Sequence, residues 1–151
     1  MAHAAKTEAI TIRSAVLADA PQLAPLAGQL GYPSTVEQVA ARLREILRDE
    51  DHLVLVAERE GAGIVGYIEV FPFPVLAHDP RVEIGSLIVD ESYRSLGVGR
   101  LLVNRGEEWA RARGYKESGV RSNVIRDRAH KFYQGLGYRV NKTQKSFRKP
   151  L

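Results

Sequence analysis

Ile10 and Ile12 alternate with polar neighbours, and this period of two predicts a first strand over residues 10–15. Asp19 just ahead of Pro21 marks a helix start, because proline suits a first turn whose amides lack intrahelical partners. Gly31 and Pro33 end that helix near Leu30. Ser34 or Thr35 is placed to cap a second helix, in which Val36, Val39, Leu43, Ile46 and Leu47 recur at helical spacing. The apolar run Leu53 to Val56 predicts a strand over 52–58, and another follows over 63–71. The proline-rich stretch 72–80 reads as a loop before a strand over 82–89. A helix over 97–112 buries Leu102, Val103, Trp109 and Ala110, and Gly114 stops it. A strand over 115–122 leads to a last helix on the stripe Ala129, Phe132, Tyr133 and Leu136, stopped by Gly137. One or two strands over 138–147 close the chain. Hairpin strands come before βαβ units, so the predicted class is α/β (or α+β) with a mixed sheet.

Composition narrows the chemistry. The 151 residues suit one core, read as a single domain over 9–151 behind a disordered lead-in over 1–8. That lead-in has no secretory apolar stretch and the chain has no run of roughly 20 apolar residues, so the expected setting is cytoplasmic, with no membrane partner. With no cysteine, a disulfide, a Cys-ligated zinc site and a thiol nucleophile are all excluded. His3, His52, His78 and His130 lie far apart without metal-ligand spacing, so no metal is expected. A net charge of +4 favours anionic partners. Nucleic acid is disfavoured, because the cations are spread along the chain and aromatics do not interleave with them.

Two motifs are decoys. Gly61-Ala62-Gly63-Ile64-Val65-Gly66 matches the dinucleotide pattern letter for letter, but it joins two strands where the pattern needs a strand-to-helix turn. It reads as a hairpin turn. Asn141-Lys142-Thr143 matches a glycosylation sequon that has no meaning without export. The segment Arg94-Ser95-Leu96-Gly97-Val98-Gly99-Arg100 has the right context, since it follows a strand and opens a long helix. Unpaired amides at a helix start attract anions, glycine lets phosphate oxygens approach, and Arg94 and Arg100 add charge. Taken alone, the segment is also compatible with a glycine-rich helix start on a basic surface.

The pair of motifs settles that choice. Arg94-x-x-Gly97-x-Gly99 resembles the pyrophosphate-binding signature of the GNAT superfamily of acetyl-CoA-dependent N-acetyltransferases. Asn123, Ala129, Phe132-Tyr133 and Leu136-Gly137-Tyr138 are spaced like that superfamily's second conserved segment. The resemblance covers nearly the whole chain from Ile10. It implies a GNAT-like acyl-CoA N-acyltransferase fold, a mixed and splayed sheet of six to seven strands with helices on both faces. One departure is Arg126, which stands where members often carry Asn or Ser. It cannot accept a capping hydrogen bond, so Asn123 or Asp127 is expected to cap the last helix.

The resemblance also implies roles. Acetyl-CoA is the co-substrate, its pantetheine arm pairing with the backbone of Leu87, Ile88 and Val89 in the opening of the sheet. Arg94, Ser95, Leu96, Gly97, Val98, Gly99 and Arg100 cradle the pyrophosphate, with Asn123 also on the cofactor side. A backbone N–H near Leu87 stabilises the oxyanion. Glu83 takes the amine proton, and Tyr133 returns one to the thiolate. Without the motif, Tyr133 would be a core aromatic and Glu83 a surface or salt-bridged carboxylate. Strand alternation places Glu83, Gly85 and Leu87 on one face. His130 is expected on the helix surface, and Asp49, Glu50 and Asp51 in a solvated turn. The acceptor wall is expected from 30–34 and 71–79: Gly31, Tyr32, Phe71, Phe73, Val75 and Leu76, with Asp79 and Glu83 as anchors for a cation. That wall suits an amine on a small molecule or on a protein, and the same apolar loop is a candidate homodimer contact. The rival reading is a non-catalytic acyl-CoA-binding sensor or partner-binding module of the same fold.

Overall fold

Five strands form one sheet in the order β1-β2-β3-β4-β5. The coordinates are a computed structural model that describes residues 9–151, so the lead-in expected over 1–8 lies outside the described residues. Two compact units meet in sequence at Val120. The first contains β1 (Ile10–Ser14), α1 (Ala20–Gln29), α2 (Val36–Ile46), β2 (Leu53–Arg59), β3 (Gly63–Val75), β4 (His78–Val89), α3 (Val98–Ala112) and β5 (Ser118–Val120). The second, Arg121–Leu151, contains α4 (Asp127–Gly135).

The sheet is mixed, as expected. The pairs β1–β2, β2–β3 and β3–β4 are antiparallel, and β4–β5 is parallel after the α3 crossover. Helices cover both faces. Leu23 and Leu26 of α1 and Leu43 of α2 bury against Val54, Val56 and Ile88 on one face. On the other, Gly106 lets α3 approach so closely that an added Cβ would sit 3.2 Å from Val70 and 3.6 Å from Ile68. Thr35 caps α2 through a reciprocal box: its hydroxyl accepts from Gln38 N–H, and the Gln38 amide accepts from Thr35 N–H. Asp19 precedes α1, but its carboxylate does not cap that helix. It accepts instead from Arg13 at 2.8 and 2.9 Å and from Val16 N–H at 2.8 Å.

Two expectations about strands are corrected. The stretch 72–80 is not a loop, because β3 and β4 continue through it and turn only at Leu76 and Ala77. Prolines are tolerated there because β2 ends at the Leu53–Val70 pair, leaving the outer part of β3 a ladder on one side only. The sheet has five strands rather than six or seven, since no strand follows β5 among the described residues. Between Arg139 and Lys149 the chain carries five cations, while Val140 and Phe147 are exposed. That stretch has no apolar face to bury.

Candidate active site

Beyond Ile84, β4 has a strand partner on one side only. Its parallel pairing with β5 covers Val82–Ser118, Glu83–Gly119 and Ile84–Val120 and then stops, while pairing with β3 continues to Val89–Gly66. The backbone of Leu87, Ile88 and Val89 is therefore paired with β3 alone among the described strands. A bulge sits where the β5 pairing ends. Ser86 pairs with Glu69 and Ile84 with Val70, leaving Gly85 as the extra residue. A side chain at Gly85 would run into the Phe71 ring, so glycine is what the close approach allows.

This bulge overturns the expected alternation. Residues opposite one another in a ladder share a face. Glu83 and Ser86 therefore lie with Phe71 and Glu69 on the α1–α2 face, whereas Leu87 pairs with Ile68 on the α3 face. Glu83 is almost fully buried, with Arg81 Nε 3.5 Å from its Oε2.

At the end of β4, a short 3-10 turn (Glu91–Tyr93) leads to Gly97, whose φ of 86° lies in the left-handed region that favours glycine. Ser95 also has positive φ, at 62°. The first bond of the α3 ladder joins Leu101 N–H to the Gly97 carbonyl, so the amides of Val98, Gly99 and Arg100 precede it. Arg94 donates from Nε to the Val89 carbonyl at 3.1 Å, tying the loop to the strand. The brace that sequence reasoning missed is Gln29. Its side chain donates to Asp90 Oδ2 at 3.0 Å and accepts from Glu91 N–H at 3.1 Å. The Gln29 bond above all, and a second from Ser92 N–H to Oδ1 at 2.9 Å, hold the Asp90 carboxyl below the usual carboxylate range. No local pattern signals a contact across 61 residues.

Between α1, α2 and the β3–β4 face lies a cavity of about 280 Å³. Leu30, Tyr32 and Ser34 line it as expected, but the 71–79 stretch and Glu83 do not. The tip of the β3–β4 hairpin is instead exposed at Leu76. Glu69 and Ser86 were not anticipated as lining residues. They were missed because Glu69 sits on a strand whose apolar neighbours make it look like an ordinary alternating polar position.

In the second unit, Asn123 makes the turn into α4. Its side chain accepts from Ile125 N–H at 3.2 Å, and its carbonyl accepts from Arg126 N–H at 3.0 Å. The His130 ring Nε2 lies 2.9 Å from the same carbonyl, so this helix-surface residue also pins the turn. Arg126 occupies the N-cap position, and no side chain caps the helix, contrary to the expectation for Asn123 or Asp127. Tyr133 packs edge-on against Phe132 and Tyr138, at ring separations of 5.2 and 5.7 Å. Burial pushes its hydroxyl up to about 12, against a smaller opposing effect of Arg126.

Among the described residues, no group of acidic and histidine side chains could hold a metal ion, and no helix is long and apolar enough to cross a membrane. The profile of the Acetyltransferase (GNAT) family matches residues 21–138. The N-alpha-acetyltransferase RimI of Mycobacterium tuberculosis is 31% identical over 136 residues, covering 89% of this chain and 81% of that protein. The Acetyl transferase GW6a of Oryza sativa subsp. japonica is 36% identical over 90 residues, covering 52% of this chain, and the match spans only 22% of that longer protein. The aminoglycoside N-acetyltransferase AAC(6')-Iy, solved in complex with CoA, shares the fold at a TM-score of 0.83 and 21% identity, over 94% of this chain and 95% of that one. The strand that loses its partner, the glycine turn and the helix start after it fall inside the matched span, and the chain belongs to the GNAT acetyltransferase family.

Proposed function

We propose that this chain is an N-acetyltransferase that moves the acetyl group of acetyl-CoA directly onto a primary amine of a small molecule or protein. The observation that carries the reading is the run from the one-sided edge of β4, at Leu87 to Val89, into the Gly97 turn and the leading amides of α3. An extended polar arm can add to such an edge as a strand would, and a diphosphate suits a helix start of this kind. The match over 21–138 runs through both units, which supports reading 9–151 as one catalytic domain.

Acetyl-CoA supplies the thioester that the amine attacks and the thiol that leaves. The chain's own residues do the rest. Arg94 through Arg100 hold the pyrophosphate, Asn123 also binds the cofactor, and a backbone N–H near Leu87 meets the charge that develops on the carbonyl oxygen. Glu83, on the face that carries the cavity, takes the amine proton through a water. Tyr133, a phenol protonated at neutral pH, gives a proton to the departing sulfur.

The test is thiol release from acetyl-CoA against a panel of primary amines, alongside calorimetry of acetyl-CoA binding. Amine-dependent release supports the transferase. Binding with no release for any amine would assign the chain to the non-catalytic sensor class, and absence of binding would remove both readings.

A further inference from the structure

The cavity between α1, α2 and the sheet has a one-sided chemistry. Leu23, Leu30, Val39, Leu43, Ile46 and Val54 make it predominantly apolar. Only two of its lining residues are charged, Glu69 and Arg42. Glu69 lies on the sheet side at three-quarters buried, and both its oxygens are engaged: His52 Nε2 is 2.7 Å from Oε1, and the Ser86 hydroxyl donates to Oε2 at 3.0 Å. His52 is in turn held against the Phe71 ring, with centroids 5.1 Å apart. A carboxylate fixed from two sides in an apolar cavity is oriented before any ligand arrives, and it retains lone pairs for a further donor. Gly85 and Ser86 also line the cavity, so Glu69 sits beside the β4 bulge. Arg42 belongs to α2 and is held by the Ser34 hydroxyl, to which its Nη1 donates at 2.9 Å.

Resting on the transferase reading above, we propose that Glu69 is the acceptor-binding carboxylate and that the acceptor is a small monoamine with an apolar body. The single carboxylate matches one ammonium group. The apolar wall matches the body, and the volume lies just under the usual range for ligand pockets, roughly 300–1,000 Å³, which suits a small ligand. Arg42 acts against a second positive charge. A polycation would have to place another ammonium in a cavity whose other charged lining residue is already a cation, on a chain of net charge +4. Polyamines and aminoglycosides are therefore disfavoured, although an aminoglycoside acetyltransferase shares the fold. His52 and Ser86 are positioning residues, acting through the orientation of Glu69.

The experiment compares phenethylamine with spermidine and kanamycin, using the wild-type chain, Glu69→Gln and Ala27→Leu. Ala27 lines the cavity from α1, and leucine there fills space without removing a charge. Two readouts are taken: calorimetric binding of each amine, which does not depend on turnover, and thiol release from acetyl-CoA. The expected result is a kcat/KM at least tenfold higher for phenethylamine than for either polycation. Glu69→Gln should raise the phenethylamine KM and Kd at least tenfold while acetyl-CoA affinity is unchanged. Ala27→Leu should weaken phenethylamine binding in a chain that melts as a folded protein, which separates occupancy of the cavity from loss of the fold. Phenethylamine binding lost in Glu69→Gln, with no acetyl-CoA binding at all, would sustain the cavity assignment and overturn the transferase reading alone. A preference for the polycations or for a peptide N-terminus, or a Glu69→Gln chain that binds phenethylamine as the wild type does, overturns the inference.

Discussion

Gln29, at the end of α1, donates a hydrogen bond to Asp90, 61 residues later, at the point where β4 gives way to the glycine loop. The same amide accepts from Glu91 N–H, so one side chain holds two consecutive residues of the loop. Replacing Gln29 with leucine should loosen the loop without emptying a core position. We expect acetyl-CoA affinity to fall by a few-fold, on the order of 0.5–1.5 kcal/mol, the net worth of a hydrogen bond. Calorimetry on the variant checks this, and unchanged affinity would show that the loop keeps its shape unaided.

Gly97 and Gly99 separate backbone conformation from access. At Gly97 a valine must adopt positive φ, so it strains the loop as well as crowding it. At Gly99 the residue is inside the first helical turn, and valine adds only bulk beside the leading amides. Gly99→Val should lower acetyl-CoA affinity at least tenfold, about 1.4 kcal/mol, with a near-native melting temperature. Retained affinity in Gly99→Val would move the pyrophosphate away from this helix start.

Tyr133→Phe keeps the contacts with Phe132 and Tyr138 and removes one oxygen. Turnover should fall by roughly 10²-fold, the low end for positioned proton transfer, with acetyl-CoA affinity little changed. Because burial raises the Tyr133 pKa to about 12, its proton is retained as pH rises through the ordinary tyrosine range. The wild-type kcat profile should therefore show no falling limb from this residue near pH 10. A limb there that disappears in the phenylalanine variant would contradict the assigned environment.

Glu83→Gln tests the base. If Glu83 removes the amine proton, the variant should be slow near neutrality and recover as rising pH supplies free amine. A uniform loss at every pH would instead make Glu83 a binding group. Full activity throughout would leave Glu83 a structural residue, its ion pair with Arg81 included.

Asp19 carries a stability prediction. Its hydrogen bonds from Arg13, and secondarily from Val16 N–H, hold its carboxyl below the usual range, against the opposing effect of burial. The folded value lies below the unfolded one, so its contribution is complete above the unfolded pKa of roughly 3.9 and disappears as pH falls through the folded value. Asp19→Asn should cost roughly 1–3 kcal/mol at pH 7, the range for a buried group deprived of its partner. Urea unfolding at pH 7 and pH 3 checks the sign: the gap between wild type and variant should narrow at the lower pH.

What the sequence by itself determined were the features whose cause is local. The Thr35–Gln38 box starts α2 because both partners lie within one turn. Gly61 and Gly63 turn the β2–β3 hairpin because they adopt φ of 77° and 78°, and Gly97 starts α3 for the same reason. The two spaced motifs were enough to indicate the family. The tertiary structure decided whatever depends on a distant partner. The 72–80 stretch became strand because β3 and β4 supply each other's ladder, a pairing that outweighs the turn preference of its prolines. The bulge at Gly85 reversed the faces of β4, since side-chain alternation holds only while the register does. It thereby placed Glu83 and Ser86 on the cavity face and Leu87 on the other. Glu69 acquired its orientation from His52 and Ser86, each 17 residues away. Its neighbours in sequence carry no sign of that, because a buried polar group takes its partners from whatever the packing of helices and strands brings within reach.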